Sequence, residues 1–156
     1  MDKTDKSYHK LIIWGKFREL LLLTYKFTES LPKSEDFGLK SQMRRAVVSV
    51  MSNFVEGYMK RSVKEKLHFM EIAETSLLEL EAQSEICLML KYWSEVHYIE
   101  FDKKRSEAGY FLYRYRSKIS PWYLWYPWYA WYAWYFYLVF LLKNMPPKAV
   151  GIKPIR

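Results

Sequence analysis

The near absence of proline from the first 120 residues constrains the fold of this chain more than any other feature. Pro32 is the only proline in that stretch, although the whole sequence has six. Proline lacks a backbone donor and interrupts helices, so a stretch without it can form long helices. No window alternates apolar and polar residues convincingly at a period of two, which argues against strands. The sequence therefore predicts an all-α fold.

Four amphipathic patterns cover most of this stretch. We expect helices over about Ser7 to Glu29, Leu39 to Met59, Val63 to Tyr92 and Tyr98 to Lys118, with apolar residues mostly three or four positions apart. The residues expected to face the core are Ile13, Phe17, Leu20, Thr24, Phe27 and Leu31, then Leu39, Met43, Val47, Val50 and Phe54, then Phe69, Ala73, Leu77, Leu80 and Cys87, and finally Phe101, Ala108, Leu112, Tyr115 and Ile119. Short connections between such helices predict an antiparallel up-down-up-down four-helix bundle over residues 1–119.

Residues 120–156 form a different kind of segment, an aromatic low-complexity C-terminal tail. Between Trp122 and Trp134 a tryptophan-tyrosine pair recurs every three residues. Residues 121–142 carry no charge and are formally long enough to span a bilayer. Trp and Tyr favour the headgroup region, however, and Pro127 would interrupt a helix. Membrane contact through the tail is therefore open but not favoured, beside self-association or packing on the bundle, and the last residues should be disordered.

A stripe of polar residues follows one side of the second and third predicted helices, which meet at a capping box, Ser62-x-x-Glu65. We call this stripe the polar seam: Arg45, Ser49, Asn53, Glu56, Ser76 and Glu79. Polar groups on a face that should be buried must be paired or must serve a partner. One interpretation is a buried network of Ser49, Asn53, Ser76 and Glu79 that fixes helix register. The other is that Arg45, Glu56 and Arg61 lie at an exposed end and meet a partner.

Basic residues occur in clusters on a chain whose net charge is +8. Candidate nucleic-acid contacts are Arg44, Lys60, Arg61, Lys64, Lys103, Lys104, Arg105, Arg114 and Arg116. Tyrosines at positions 110, 113 and 115 interleave with the last of these, a mixture that can hold a phosphate backbone and stack on bases. A solvated surface without a partner is the competing interpretation, because many exposed helix faces have this composition.

The sequence favours no catalytic or metal-binding activity. It contains no nucleophile elbow and no phosphate-binding glycine loop, and Glu65-x-x-His68 lacks the second copy that a di-iron bundle needs. We therefore expect a protein that is not an enzyme and has no cofactor or metal. One cysteine, Cys87, excludes an internal disulfide and suggests a reducing compartment. The charged N-terminus lacks the apolar stretch of a signal peptide, so we expect a cytoplasmic protein.

The second and third predicted helices also contain a characteristic set of sequence motifs. Its densest part is QMRRAVVSVMSNFVEG at residues 42–57, followed by Arg61-Ser62, by FMEIA at 69–73, and by Ser76-Leu77 and 79–81. This combination resembles a bacterial family, the four-helix-bundle proteins encoded in 23S rRNA intervening sequences. The resemblance extends from about Trp14 to Ile119, and the aromatic tail departs from it.

The resemblance implies a small cytoplasmic antiparallel bundle, often assembled as a ring-like homopentamer, with no established catalytic activity. Accessory proteins of diversity-generating retroelements look related, and they bind a reverse transcriptase and nucleic acid. The expected function is thus a non-enzymatic oligomeric protein that binds RNA or another nucleic acid, or a reverse-transcriptase-like or other RNA-handling protein. The alternative is a scaffold or membrane-surface protein that acts through the aromatic tail.

Overall fold

Four α-helices dominate the computed structural model, which describes residues 7–119. They are α1 (Ile12–Glu29), α2 (Leu39–Met59), α3 (Val63–Met89) and α4 (Glu95–Ile119). Short 3-10 helices, Ser7–Lys10 and Lys33–Glu35, precede α1 and α2. No residue between 7 and 119 lies in a strand, so the predicted all-α class is confirmed for this part of the chain. The predictions for the tail lie outside the described residues.

The helix boundaries agree with the predicted ones to within one residue except at three ends. The helix α1 begins at Ile12 because residues 7–10 form a 3-10 helix instead. The helix α3 ends at Met89, before the predicted Tyr92, because Lys91 adopts a left-handed backbone conformation with φ of 58°. The helix α4 begins at Glu95, before the predicted Tyr98, and the hydroxyl of Ser94 accepts a hydrogen bond of 3.3 Å from the His97 amide.

The predicted capping box at the start of α3 is only half right. Ser62 is the N-cap residue, but its side chain makes no capping hydrogen bond. The corresponding interaction occurs at α2, where the Glu35 carboxylate accepts a hydrogen bond of 3.0 Å from the Leu39 amide. Glu35 also accepts one of 3.2 Å from the Tyr92 hydroxyl. This hydrogen bond joins the α1–α2 connection to the α3–α4 connection.

One apolar core is shared by all four helices. Its fully buried members include Phe17 and Leu20 of α1, Met43, Val47, Val50 and Phe54 of α2, Met70, Ala73 and Leu80 of α3, and Phe101, Ala108 and Leu112 of α4. The predicted core positions of α1 and α2 are all buried. In α3 and α4, however, Phe69, Tyr115 and Ile119 are only partly buried. Met70 occupies the inward position instead of Phe69, because the buried stripe of α3 continues from Met70 through Ala73 and Leu77.

Each helix packs against two others: α1 and α3 each contact both α2 and α4, and the contact between α2 and α3 is the most extensive. None of the helices within residues 7–119 is both long and apolar enough to cross a membrane.

Candidate functional site

Three residues of the polar seam form a chain of hydrogen bonds between α2 and α3. The Asn53 side-chain amide donates to the backbone oxygen of Ser49 at 2.8 Å and to its hydroxyl at 3.0 Å. The hydroxyls of Ser49 and Ser76 are 2.8 Å apart, and Ser76 donates to the Ile72 carbonyl at 3.0 Å. Every proton in this chain has an acceptor if Ser49 donates to Ser76. These three residues are thus satisfied within the protein.

The other seam residues lie outside this chain of hydrogen bonds. Arg45, Glu56 and Glu79 are all exposed, so Glu79 is not the buried network member that the sequence suggested. Glu56 forms an ion pair of 3.0 Å with Lys60, one turn later on α2. Arg45 and Glu79 make no hydrogen bond or ion pair with any residue between 7 and 119. The seam therefore has a satisfied inner part and a charged outer part.

Two of the predicted nucleic-acid contacts are buried. Arg105 is 4% exposed and its guanidinium donates to Asp102 at 2.6 Å and to Glu81 at 3.0 Å. Arg116 is 2% exposed and donates to Glu71 at 2.8 Å and also to Glu74. Both arginines connect α4 to α3, and both side chains are almost completely buried. Arg105 and Arg116 are therefore not accessible to a phosphate backbone.

Burial is the main influence on the pKa of two carboxylates that face these arginines, Glu74 and Glu81. Desolvation raises the pKa of Glu74 and of Glu81 above the usual value, although Arg116 and Arg105, respectively, act in the opposite direction. Burial also raises the pKa of the Cys87 thiol to about 12, so this cysteine is not an activated nucleophile. Within residues 7–119 no group of three His, Cys, Asp or Glu side chains is arranged to hold a metal ion.

A charged cluster between α1 and α4 neutralises Lys104, another of the predicted nucleic-acid contacts. Lys104 donates to Glu19 at 2.7 Å and lies 3.8 Å from Glu107, which also pairs with Lys16 at 3.0 Å. The hydrogen bond from Lys104 lowers the pKa of Glu19. Lys103, by contrast, is exposed and has no partner in the described part of the chain. The predicted cluster at 103–105 thus offers only one unpaired cation.

The candidates near the α2–α3 connection are more accessible. Arg61 and Lys64 are exposed and form no ion pair with any described residue, and Lys60 lies 5.0 Å from the centre of the Phe69 ring. Arg114, near the end of α4, is exposed and rests on Tyr110, whose hydroxyl accepts a hydrogen bond of 3.0 Å. Arg116, three residues before the end of α4, contacts Glu71 and Glu74 in the first half of α3. We call the region that contains Lys60, Arg61, Lys64 and Arg114 the basic end.

Charge is distributed unequally between the two halves of the helical body. The half that contains the basic end consists of residues 7–20, 50–76 and 108–119, and it has ten Lys and Arg against five Asp and Glu. The other half, residues 21–49 and 77–107, has nine against ten. The halves therefore carry +5 and −1. A phosphate-bearing partner would be attracted more strongly to the half of the helical body that contains the basic end.

Arg44 lies apart from these clusters, between α1 and α2. Its Nε donates to the Thr28 hydroxyl at 3.0 Å, and a terminal nitrogen donates to Glu29 at 2.6 Å. Its guanidinium carbon is 4.6 Å from the centre of the Tyr25 ring. Arg44 is therefore held in place, with part of its side chain still exposed.

Comparisons with known proteins give one consistent result. The family described as 23S rRNA-intervening sequence protein matches residues 9–114 of this chain. Among solved structures, the chain is similar to a protein of unknown function from the S23 ribosomal protein family of Bacteroides thetaiotaomicron VPI-5482, determined at 1.70 Å. The identity is 18% and the TM-score 0.62, over 67% of this chain and 98% of that one. No curated protein matches the chain.

Proposed function

The chain belongs to the 23S rRNA-intervening sequence protein family, and we propose that it is a non-enzymatic, oligomeric RNA-binding protein that holds RNA at its basic end. The observation that carries this proposal is the charge difference of +5 against −1 between the two halves of the body. Cations that lack an internal partner release counterions when they bind phosphate, which is the main source of sequence-independent affinity. The body offers such cations at Arg61 and Lys64.

The fold that we propose for this function is an antiparallel up-down-up-down bundle. Contacts between α1 and α4 support it: Lys16 pairs with Glu107, whereas Phe27, further along α1, contacts His97, which comes earlier in α4. Residue numbers also run in opposite directions across the contacts of α2 with α3 and of α3 with α4. In this arrangement the α2–α3 connection and the end of α4 are neighbours, which brings the exposed cations together.

Oligomerisation is supported by exposed apolar side chains on the helix faces. Ile12 is 69% exposed and Leu22 67%, both on α1, while Val48 of α2 is 44% exposed. Association of subunits would remove such side chains from water, which favours an interface. Five subunits are expected from the family resemblance alone, and light scattering would measure the number. Cytoplasmic location belongs to the same proposal and rests on the single cysteine.

Charge reversal tests the RNA proposal. The double variant Arg61→Glu/Lys64→Glu should weaken binding of a single-stranded RNA at low salt by at least tenfold, because each replacement turns a phosphate contact into a repulsion. The matched control is Lys103→Glu, which reverses an exposed, unpaired cation on the other half of the body. Equal losses in both variants would contradict a role for the basic end, and no binding by the unmodified chain would refute the proposed function.

The second candidate function is a scaffold or membrane-surface protein that acts through the aromatic tail. The tail lies outside the described residues, so only its composition favours this function. Binding of the full chain to vesicles, and its loss on removal of residues 120–156, would separate this candidate from RNA binding.

A further inference from the structure

An open groove of about 690 Å³ lies on the surface of α2, in the described part of the chain. The residues that matter for its chemistry are Tyr25 on α1 and Ser41, Arg44 and Arg45 on α2. The groove is open to solvent, so an extended strand can reach it. The groove lies in the half of the body opposite to the basic end.

The Arg44 guanidinium is a planar cation that is fixed before any ligand arrives. The Tyr25 ring supports it from one side, while Thr28 and Glu29 hold its nitrogens by hydrogen bonds of 3.0 Å and 2.6 Å. Proteins that bind single-stranded RNA stack unpaired bases on such guanidinium planes as well as on aromatic rings. Because Arg44 is already oriented, stacking would cost little side-chain entropy.

Arg45 supplies the complementary group for a phosphate. Its side chain is exposed, makes no hydrogen bond or ion pair with residues 7–119, and lines the same groove as Ser41. Lys40, also in the groove, is already paired with Asp36 at 3.1 Å. The nearby carboxylates of Asp36 and Glu29 repel an anion. A nucleotide offsets this repulsion by stacking its base on Arg44, whereas a bare phosphate or an acidic peptide does not.

We propose that this groove binds one nucleotide of a single-stranded RNA, with the base stacked on Arg44 and the phosphate held by Arg45. This inference rests on the proposed function, since it describes a second contact of the same RNA. It adds a base-dependent contact to binding that is otherwise driven by charge. The class of ligand is a nucleotide within a strand and not a specific sequence, because no base-edge contact is implied.

Fluorescence anisotropy with the full-length chain tests the inference. The probes are 5′-fluorescein-labelled octauridylate and the same strand with every base removed. Arg44→Lys keeps the charge but removes the plane, and Tyr25→Leu removes its support. Each should weaken the binding of octauridylate about tenfold, the usual effect of losing one stacked base, and leave the binding of the abasic strand unchanged. Arg45→Gln should weaken both probes and reduce the log–log salt slope by about 0.7.

Matched variants make the result specific. Arg18→Lys makes the same exchange at an exposed, unpaired arginine of α1, and Tyr25→Phe keeps the ring; neither should change binding. Because residues 120–156 are identical in every variant, differences between variants report the groove and not the tryptophans of the tail. Circular-dichroism melting checks that each variant folds.

The outcomes separate the two proposals. If Arg44→Lys weakens both probes equally, or no more than Arg18→Lys does, the groove inference is overturned while RNA binding at the basic end stands. If the unmodified chain binds neither probe at low salt, the proposed function fails and the groove inference fails with it. Base-dependent loss confined to Tyr25→Leu and Arg44→Lys supports the groove.

Discussion

Arg116 of α4 and Glu74 of α3 form an ion pair whose guanidinium is almost completely removed from solvent. Arg116 also pairs with Glu71, one turn earlier on α3, at 2.8 Å. A residue from a run of basic side chains thus connects two helices and does not face a partner. An unpaired charge left in such a position is costly, so each member of the group depends on the others.

Replacing Arg116 by methionine should destabilise the protein by about 3 kcal/mol, the low end of the range for breaking a buried pair, because Glu71 is half exposed. Urea unfolding would measure the loss. The control Arg114→Met removes an exposed arginine two positions away and should change stability by less than about 0.5 kcal/mol. Adding Glu74→Met to Arg116→Met should restore part of the stability. Equal effects of the two arginine variants would contradict the buried pair.

Glu74 and Glu19 should titrate on opposite sides of the usual glutamate pKa, 4.5. Glu74 should titrate above it because of burial, and Glu19 below it because of its hydrogen bond from Lys104. The stability contributed by Glu19 is therefore present above pH 4.5 and is lost as the pH falls through its lowered pKa. For Glu74 the sign is reversed, and stability falls as the pH rises from 4.5 through its raised pKa.

Carboxyl-detected NMR would measure both pKa values, and Lys104→Met should move only that of Glu19 back towards 4.5. A Glu19 carboxyl that titrates at or above 4.5 would contradict the pairing seen between α1 and α4.

The inner part of the polar seam should contribute to stability. Asn53→Leu removes the donor to Ser49 and should cost about 1–3 kcal/mol, because it leaves partly buried acceptors of Ser49 without that donor. The direct contact is between the hydroxyls of Ser49 and Ser76, so alanine replacements of these two residues form the sharper double-mutant cycle. We expect a coupling energy of at least about 0.5 kcal/mol. Additive effects would show that the two serines do not act together.

Two glycines should respond in opposite directions to replacement by alanine. At Gly57 a Cβ would lie 2.9 Å from the Phe69 Cβ and 3.1 Å from the Lys66 carbonyl, so Gly57→Ala should cost about 1–3 kcal/mol through overpacking of α2 on α3. At Gly15 a Cβ would meet nothing within 4 Å, so Gly15→Ala should stabilise α1 by up to about 1 kcal/mol. Thermal melting of both variants measures the difference. A stabilising Gly57→Ala would contradict the close approach of the helices.

Much of the fold could be predicted because the helices α1 and α2 have clear apolar stripes. In α3 and α4 the stripes contain polar members, such as Ser84 and Arg105, so the inward face was harder to locate and Phe69 was chosen instead of Met70. Arg105 and Arg116 follow the buried Phe101 and Leu112 by one turn each, and this spacing could have revealed their burial. Clustering of basic residues alone does not show which of them are buried; their spacing from buried residues along the helix does.

For the candidate site, the sequence predicts which basic residues cluster but not which of them are neutralised. The clustering of Lys60, Arg61 and Lys64 is visible in the sequence, but which cations are neutralised depends on carboxylates far along the chain. Glu19 lies 85 positions from Lys104, and no local pattern relates the two. The groove at Arg44 was missed for the same reason, since its supporting ring comes from a different helix.

RNA binding should depend steeply on salt and weakly on sequence. The exposed cations of the basic end contact phosphates, and we expect a log–log slope of about −0.7 for each phosphate neutralised on a single strand. Oligoribonucleotides of equal length but different sequence should differ little in affinity, because the helical body contains no base-reading module of a known class and the proposed groove accepts any base. Arg61→Gln/Lys64→Gln should make the slope shallower by about 1.4 without changing the ranking of sequences. Lys103→Gln should leave the slope unchanged. A strong preference for one sequence, or binding that does not vary with salt, would exclude an interface built mainly on phosphate contacts and would favour a protein partner for the basic end.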